Sequence, residues 1–77
     1  MELSEEVLQT ICETLEVKKE ECPPEQKLYD SIGVDSTEMV ELVVALNKRF
    51  GIKIETNEIT KFSTPSQICE IVANKKA

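Results

Sequence analysis

Residues 35–51 constrain the fold more than any other segment, because they carry both ends of a helix and the pattern of its buried face. Asp35 is a favoured N-cap residue, and Gly51 is typical of the residue that ends a helix in a left-handed conformation. Between them, apolar residues recur at helical spacing: Met39, Val43, Leu46 and Phe50. The pattern predicts an amphipathic helix over residues 36–50, whose apolar face must be covered by the rest of the chain.

Two further helices are predicted, one on each side of this segment in the sequence. Ser4 suits the N-cap of a helix that runs to about Leu15, and an apolar stripe follows the same period. That stripe consists of Val7, Leu8, Ile11, Cys12 and Leu15. Thr64-Pro65-Ser66-Gln67 has the form of a capping box with proline at the first helical position, which predicts a helix from about Pro65 to Asn74.

The connections between these helices differ in character. Residues 18–34 contain two adjacent prolines and predict a long loop, pinned by the apolar side chains of Leu28, Tyr29, Ile32 and Val34. Residues 51–56 alternate like a strand, but the chain offers no second strand, so we expect an extended linker that buries Ile52 and Ile54. A brief helix III is predicted over 57–61, with Phe62 packed inward.

Together these elements predict an all-α fold. The expected architecture is a small antiparallel-type four-helix bundle, with three main helices, one short helix III and a long loop between helices I and II. The 77 residues correspond to one domain, which we assign to residues 1–77. Such a small domain has little room for a core, a substrate cleft and catalytic groups together, which favours a binding or carrier role over an enzyme.

The charge of the chain bears on its partners and its location. A net charge of −6 argues against nucleic acid, whose binding requires a basic face. It favours partner proteins with basic surfaces, although acidity is also common where it serves solubility alone. The acidic start of the chain has no apolar signal segment, and no apolar run approaches membrane-spanning length. We therefore expect a cytoplasmic protein without stable membrane insertion.

Residue types exclude several kinds of site. The chain has three cysteines, no C-x-x-C pair and no histidine, so no metal site is expected and the thiols are expected to be reduced. Cys12 and Cys69 fall on apolar helix faces, whereas Cys22 precedes the prolines and is expected to be exposed. Asp30 and Glu41 have the spacing of the ends of a calcium loop, but the oxygen ligands and glycine between them are missing. A serine hydrolase with a histidine base is excluded because the chain has no histidine. Composition does not exclude a Ser-Lys pair, but nothing in the sequence places a lysine near Ser36.

Ser36 is the candidate functional residue. It directly follows the predicted cap, so its hydroxyl projects from the N-terminal end of a helix. Unpaired backbone N–H groups and the helix dipole favour negative charge there, and a phosphate ester on this hydroxyl would be stabilised. An Asp-Ser pair is also an ordinary helix start, in which Asp35 caps the helix and Ser36 fills the first turn.

The sequence around Ser36 resembles the acyl carrier protein family. Gly33-Val34-Asp35-Ser36 is similar to the family's Gly-x-Asp-Ser motif, residues 40–46 to its acidic-aliphatic helix, and Phe50-Gly51-Ile52 to the exit from that helix. The resemblance covers nearly the whole chain. It implies that a phosphopantetheinyl transferase transfers 4'-phosphopantetheine from coenzyme A to Ser36. The protein, itself no enzyme, would then carry acyl or aminoacyl thioesters as a monomer to enzymes of fatty-acid, lipid or polyketide-like biosynthesis.

The resemblance also implies a docking surface on the same helix, formed by Thr37, Glu38, Val40 and Glu41, for enzymes with basic patches. The two glutamates equally fit a solvated helix face. Thr37 stands where the family usually has leucine, and residues 47–49 replace a helix end that is often acidic, which favours a specialised carrier.

A second interpretation of the chain is an unmodified helical adaptor that binds other proteins through this helix. An adaptor would need the amphipathic pattern of the helix but not the Asp-Ser start. Acceptance of an arm at Ser36 distinguishes it from the carrier.

Overall fold

A computed structural model of the chain describes residues 2–76, which form four α-helices and contain no strand. The helices are α1 (Leu3–Leu15), α2 (Leu28–Ile32), α3 (Ser36–Phe50) and α4 (Pro65–Lys76), with a 3₁₀ turn at Lys19–Glu21. The prediction of an all-α bundle is confirmed. None of the helices in this part of the chain has the length and apolar character needed to cross a membrane.

The ends of α3 and α4 follow from local sequence. α3 spans the predicted residues, and Gly51 ends it with a φ of 63°, a left-handed conformation that favours glycine. The predicted capping box of α4 forms: the Gln67 N–H donates to Thr64 Oγ1 at 3.1 Å, and the Thr64 N–H donates to Gln67 Oε1 at 2.9 Å. α4 continues to Lys76, two residues beyond the prediction.

The predicted N-cap of α1 is wrong by two residues. Glu2 occupies the N-cap, and its backbone carbonyl accepts hydrogen bonds from the N–H groups of Glu5 and Glu6. Ser4 therefore lies inside the first turn and does not cap the helix. Leu3 packs against the core, which extends the apolar stripe one step towards the N-terminus.

The predicted helix III is also wrong. Residues 56–62 form turns, which are stabilised by side chains that bond to the backbone: the Glu55 N–H donates to Glu58 Oε2 at 2.8 Å, and the Thr60 N–H to Ser63 Oγ at 3.1 Å. A further bond, from the Phe62 N–H to Thr60 Oγ1 at 3.2 Å, is of the local kind that competes with helix formation. The short helix is instead α2, inside the segment predicted as a loop.

α2 is held in place by one buried side chain and two backbone hydrogen bonds. Leu28 is fully buried, its N–H donates to the Ser63 carbonyl at 3.1 Å, and the Tyr29 N–H donates to the Lys61 carbonyl at 2.8 Å. The first connection therefore packs against residues 61–63 in the second connection.

One hydrophobic core lies between α1, α3 and α4 and is completed by the connections. Its members are the buried residues Val7, Ile11, Leu15, Cys22, Leu28, Val34, Met39, Leu42, Val43, Leu46, Ile54, Ile59, Ile68 and Val72. Burial of apolar surface of this kind is the main favourable term in folding. The expected linker at 51–56 is extended, with Ile54 buried and Ile52 partly buried.

Two expectations about burial are wrong. Cys22 is 1% exposed, because the 3₁₀ turn before it, closed by a hydrogen bond from its N–H to the Lys19 carbonyl, directs it into the core. Phe62 is 52% exposed, because Ile59 fills the core position and the Phe62 ring packs against Tyr29 on the surface. Cys12 and Cys69 are partly buried, in line with their apolar helix faces.

Candidate functional site: Ser36 and the adjoining groove

Ser36 is the first residue of α3, directly after a complete capping box. Asp35 Oδ1 accepts a hydrogen bond from the Glu38 N–H at 2.8 Å, and Glu38 Oε1 accepts one from the Asp35 N–H at 3.1 Å. The prediction of Asp35 as N-cap is confirmed. The backbone N–H groups of Ser36 and Thr37 belong to the first turn and have no acceptor within the helix.

The short connection before α3 fixes the position of Ser36. Gly33 ends α2 with a φ of 64°, and its N–H donates to the Tyr29 carbonyl at 3.1 Å. Val34 is 2% exposed and anchors the connection in the core. A left-handed glycine, a buried anchor and a capping residue thus leave the start of α3 little freedom.

The Ser36 side chain itself is accessible to solvent. The residue is exposed, and within residues 2–76 its hydroxyl takes part in none of the side-chain hydrogen bonds. The carboxylates on either side, those of Asp35 and Glu38, are both occupied by the capping box. Ser36 therefore presents a free hydroxyl at the positively polarised end of a helix.

An open groove of about 410 Å³ adjoins Ser36. One wall is formed by Ser36, Met39 and Val40 of α3, and the other by residues 56 and 59–62. The side chains of Met39 and Ile59 are buried and supply an apolar floor, while Val40 is 46% exposed at the rim. The groove can accommodate an apolar chain attached at Ser36.

An aromatic and cationic cluster lies at the second wall. The rings of Tyr29 and Phe62 have centroids 5.6 Å apart and are tilted by 60°. Lys61 Nζ lies 5.0 Å from the Tyr29 ring centroid and 5.5 Å from that of Phe62. The sequence pattern did not reveal this cluster, because it depends on α2 packing against the loop before α4.

The residues predicted for docking lie together on the first two turns of α3. Thr37, Val40 and Glu41 are exposed, and Glu38 is partly buried and engaged by the capping box. Val40 continues into Val44, which is 52% exposed and one helical turn further on. Sequence reasoning missed Val44 as a surface residue, although its spacing from Val40 is a signal for a second apolar stripe.

Residues 2–76 bring together no group of three histidine, cysteine, aspartate or glutamate side chains that could hold a metal ion.

Comparison with known families gives a match over most of the chain. Residues 5–72 match the model of the phosphopantetheine attachment site family. The chain therefore belongs to this family, and the resemblance to acyl carrier proteins is confirmed.

Membership of the family defines the cofactor and the general role. Its domains carry a covalently attached 4'-phosphopantetheine, are not catalytic themselves, and interact with phosphopantetheinyl transferases and biosynthetic enzymes. The residues of this chain fit that cofactor. A free hydroxyl at a helix N-terminus suits a phosphate ester, and the apolar groove beside it suits the attached chain.

Proposed function

We propose that this protein is an acyl carrier protein in which Ser36 bears the 4'-phosphopantetheine arm. The observation that carries the proposal is the position of the Ser36 hydroxyl, which is exposed, free of local hydrogen bonds and open to an apolar groove. Asp35 and Glu38 support this role by fixing the first turn of α3.

The other serines offer poorer attachment points. Ser31 donates to the Leu28 carbonyl, Ser63 accepts from the Thr60 N–H, and Ser66 donates to Glu25 Oε1 at 3.0 Å. Ser4 is exposed in the first turn of α1, but α1 lacks a side-chain cap. Ser4 is therefore the best matched control for Ser36: an exposed serine at the start of a different helix.

A transferase would catalyse the attachment, and Ser36 supplies the oxygen that is esterified. Its Oγ forms a bond to the phosphorus that bears the pantetheine, the diphosphate P–O bond of coenzyme A breaks, adenosine 3',5'-bisphosphate leaves, and the serine proton passes to a base of the transferase. The first-turn N–H groups of α3 then stabilise the negative charge of the phosphodiester, an effect of about 0.3–1 kcal/mol at an exposed helix end. When bound, the arm supplies a thiol that carries cargo as a thioester. The groove between α3 and residues 56–62 shields an apolar part of that cargo from water.

Partner enzymes would dock on the start of α3. Thr37, Glu38, Val40 and Glu41 surround the attachment point, and the acidic net charge of −6 steers basic surfaces towards it. Val40 and Val44 add an exposed apolar strip for the centre of an interface. The polar Thr37, where the resemblance leads one to expect leucine, favours enzymes of a specialised lipid, polyketide-like or aminoacyl pathway.

The arrangement of the core supports a single carrier domain over residues 1–77. The buried side chains of α1, α3 and α4 belong to one cluster, and both connections contribute to it. We also propose that the protein is a monomer.

The test of attachment is modification by a broad-specificity phosphopantetheinyl transferase with coenzyme A and magnesium. We expect the intact mass of the wild-type protein and of Ser4→Ala to rise by one phosphopantetheinyl group, and that of Ser36→Ala to stay unchanged. The double variant Ser36→Ala/Thr37→Ser keeps a serine in the same turn and should also stay unmodified. Modification of Ser36→Ala would refute the assignment, and a folded wild type that several transferases leave unmodified would favour the adaptor.

The specialised pathway has its own test. Thr37→Leu should increase turnover with enzymes of the common fatty-acid pathway, because it restores the apolar contact that the resemblance implies. Efficient charging and elongation of the wild-type protein by those enzymes would contradict the specialised role.

A further inference from the structure

We propose that Lys61 is the anion-binding residue of the groove beside Ser36. The inference rests on the proposed function, because the anion belongs to the arm: its phosphodiester or a carboxylate on the carried acyl group. The chemistry is the same in both cases, a negatively charged oxygen group attached to a largely apolar chain.

The backbone of Lys61 is fixed where it forms the groove wall. Its carbonyl accepts a hydrogen bond from the Tyr29 N–H at 2.8 Å, which ties the wall to α2. Lys61 and Phe62 both line the groove, on the wall that faces Ser36 and Val40. The residue is therefore part of a structured wall.

The side chain of Lys61 is localised by two aromatic rings. Its ammonium lies 5.0 Å from the Tyr29 ring centroid and 5.5 Å from that of Phe62, within the range of cation–π attraction. Both rings are about half exposed, so they restrict the lysine without enclosing it. A lysine held in this way loses less conformational freedom when it binds an anion than a freely moving one.

No carboxylate neutralises Lys61 in the described part of the chain. Within residues 2–76, the ion pairs join Arg49 to Glu13 and Lys75 to Glu58, and Lys61 belongs to neither. Among residues 2–76, the other side chains that line the groove are apolar or carry hydroxyl groups, so Lys61 is the one charged residue in its described lining. The Lys61 ammonium has three hydrogen-bond donors, and the two aromatic rings offer it no oxygen or nitrogen acceptor. These donors therefore remain free to bind an anion.

These observations define the class of ligand. An anion in the groove would contact the ammonium while its apolar stem lies on Met39 and Ile59. The pair remains partly exposed, so its effect on the fraction of docked arm is about two- to fivefold. High salt should reduce that effect, because it screens exposed charges.

The experiment compares the full-length protein with two cargoes on the arm, a neutral butyryl group and a carboxylated glutaryl group. The variants are Lys61→Met, Lys61→Arg and, as a matched control, Lys53→Met, which removes an exposed lysine outside the groove. Intact mass first establishes that every variant carries its arm. A failure at this stage concerns the proposed function, not Lys61.

The readouts are the rate of thioester cleavage by hydroxylamine and the ³¹P chemical shift of the phosphodiester. Faster cleavage of the glutaryl thioester alone in Lys61→Met, by about two- to fivefold, identifies a cargo carboxylate as the anion. A changed ³¹P shift with either cargo identifies the phosphodiester. Lys61→Arg should behave like the wild type. Unchanged rates and shifts in Lys61→Met, or the same changes in Lys53→Met, would overturn the proposal.

Discussion

The side-chain amide of Asn47 binds both backbone groups of Ile54. Asn47 Nδ2 donates to the Ile54 carbonyl at 3.2 Å, and the Ile54 N–H donates to Asn47 Oδ1 at 2.8 Å. The last turn of α3 thus provides the pairing that a neighbouring strand would give to the extended segment 52–55. Because this segment leads into residues 56–62, the Asn47–Ile54 bonds also position the second wall of the groove.

Replacing Asn47 by alanine should lower the free energy of unfolding by about 1–3 kcal/mol, because the partly buried N–H and carbonyl of Ile54 lose their partners. Urea unfolding followed by circular dichroism measures the change. Lys48→Ala, an exposed residue in the same turn, is the matched control and should stay within about 0.5 kcal/mol of the wild type. Equal free energies of unfolding for Asn47→Ala and Lys48→Ala would mean that the Asn47–Ile54 hydrogen bonds do not stabilise the fold.

Removing the cap of α3 should destabilise the protein without touching its core. Asp35→Ala is expected to cost about 0.5–2 kcal/mol, because the Glu38 N–H loses its acceptor. Asp35→Asn keeps an acceptor oxygen and should lose much less. Thermal unfolding of both variants beside Glu41→Ala, an exposed residue later in the helix, provides the comparison. A loss in Asp35→Asn as large as in Asp35→Ala would show that charge, not capping, is responsible.

Glu58 should contribute a pH-dependent part of stability. The hydrogen bond from the Glu55 N–H, followed by the contact with Lys75, lowers the pKa of the Glu58 carboxyl from its ordinary value of 4.5. Folding therefore favours the ionised form. This stabilisation is present above about pH 4.5 and is lost as the pH falls through the lower pKa of the folded state.

The expected result is a weaker acid dependence in Glu58→Gln. Its free energy of unfolding should fall less than that of the wild type between about pH 6 and pH 3. Glu41→Gln on the exposed face of α3 is the control. Parallel pH profiles for Glu58→Gln and the wild type would contradict the role of these contacts.

The three thiols should react at different rates in the folded protein. Burial, together with the adjacent Cys12, raises the pKa of the Cys22 thiol to about 11, so about one molecule in a thousand is a thiolate at about pH 8. Burial also raises the pKa of Cys12 and Cys69, but both residues are partly exposed. The alkylation rate of Cys22 should therefore be lower than that of Cys12 or Cys69 by at least about tenfold.

Peptide mass spectrometry after timed alkylation with iodoacetamide measures the three rates. In concentrated guanidinium chloride the differences should disappear, which serves as the control. Alkylation of native Cys22 at the rate of Cys69 would show that the segment after α1 opens readily.

Local signals in the sequence predicted α3 and the start of α4 well. Asp35, Gly51 and the Thr64–Gln67 capping box each determine the backbone conformation only of residues close to them in the sequence. The position of Ser36 followed from the same signals. What they could not predict depends on contacts between distant segments. α2 forms because Leu28 is buried and bonded to Ser63, and Phe62 stays outside because Tyr29 lies beside it.

Two errors have a more local origin. Residues 57–61 have a sequence compatible with a helical turn, but the Thr60 hydroxyl accepts a hydrogen bond from the Phe62 N–H and stabilises a local turn instead. Cys22 was predicted to be exposed because of the prolines after it, whereas the 3₁₀ turn before it directs its side chain into the core.

The cluster of Lys61, Tyr29 and Phe62 could not be predicted from the sequence. It combines residues of two connections that are distant in the chain, so no local sequence pattern indicates it.

The most direct test of the central claim is to locate the arm by fragmentation of a tryptic peptide. Trypsin releases residues 28–48 from the modified protein, and this peptide contains the hydroxyl groups of Tyr29, Ser31, Ser36 and Thr37. Fragment ions that separate residue 36 from its neighbours assign the modified residue. The account predicts phosphopantetheine on Ser36 alone. Phosphopantetheine on Ser31 or Thr37, or on a different peptide, would contradict it.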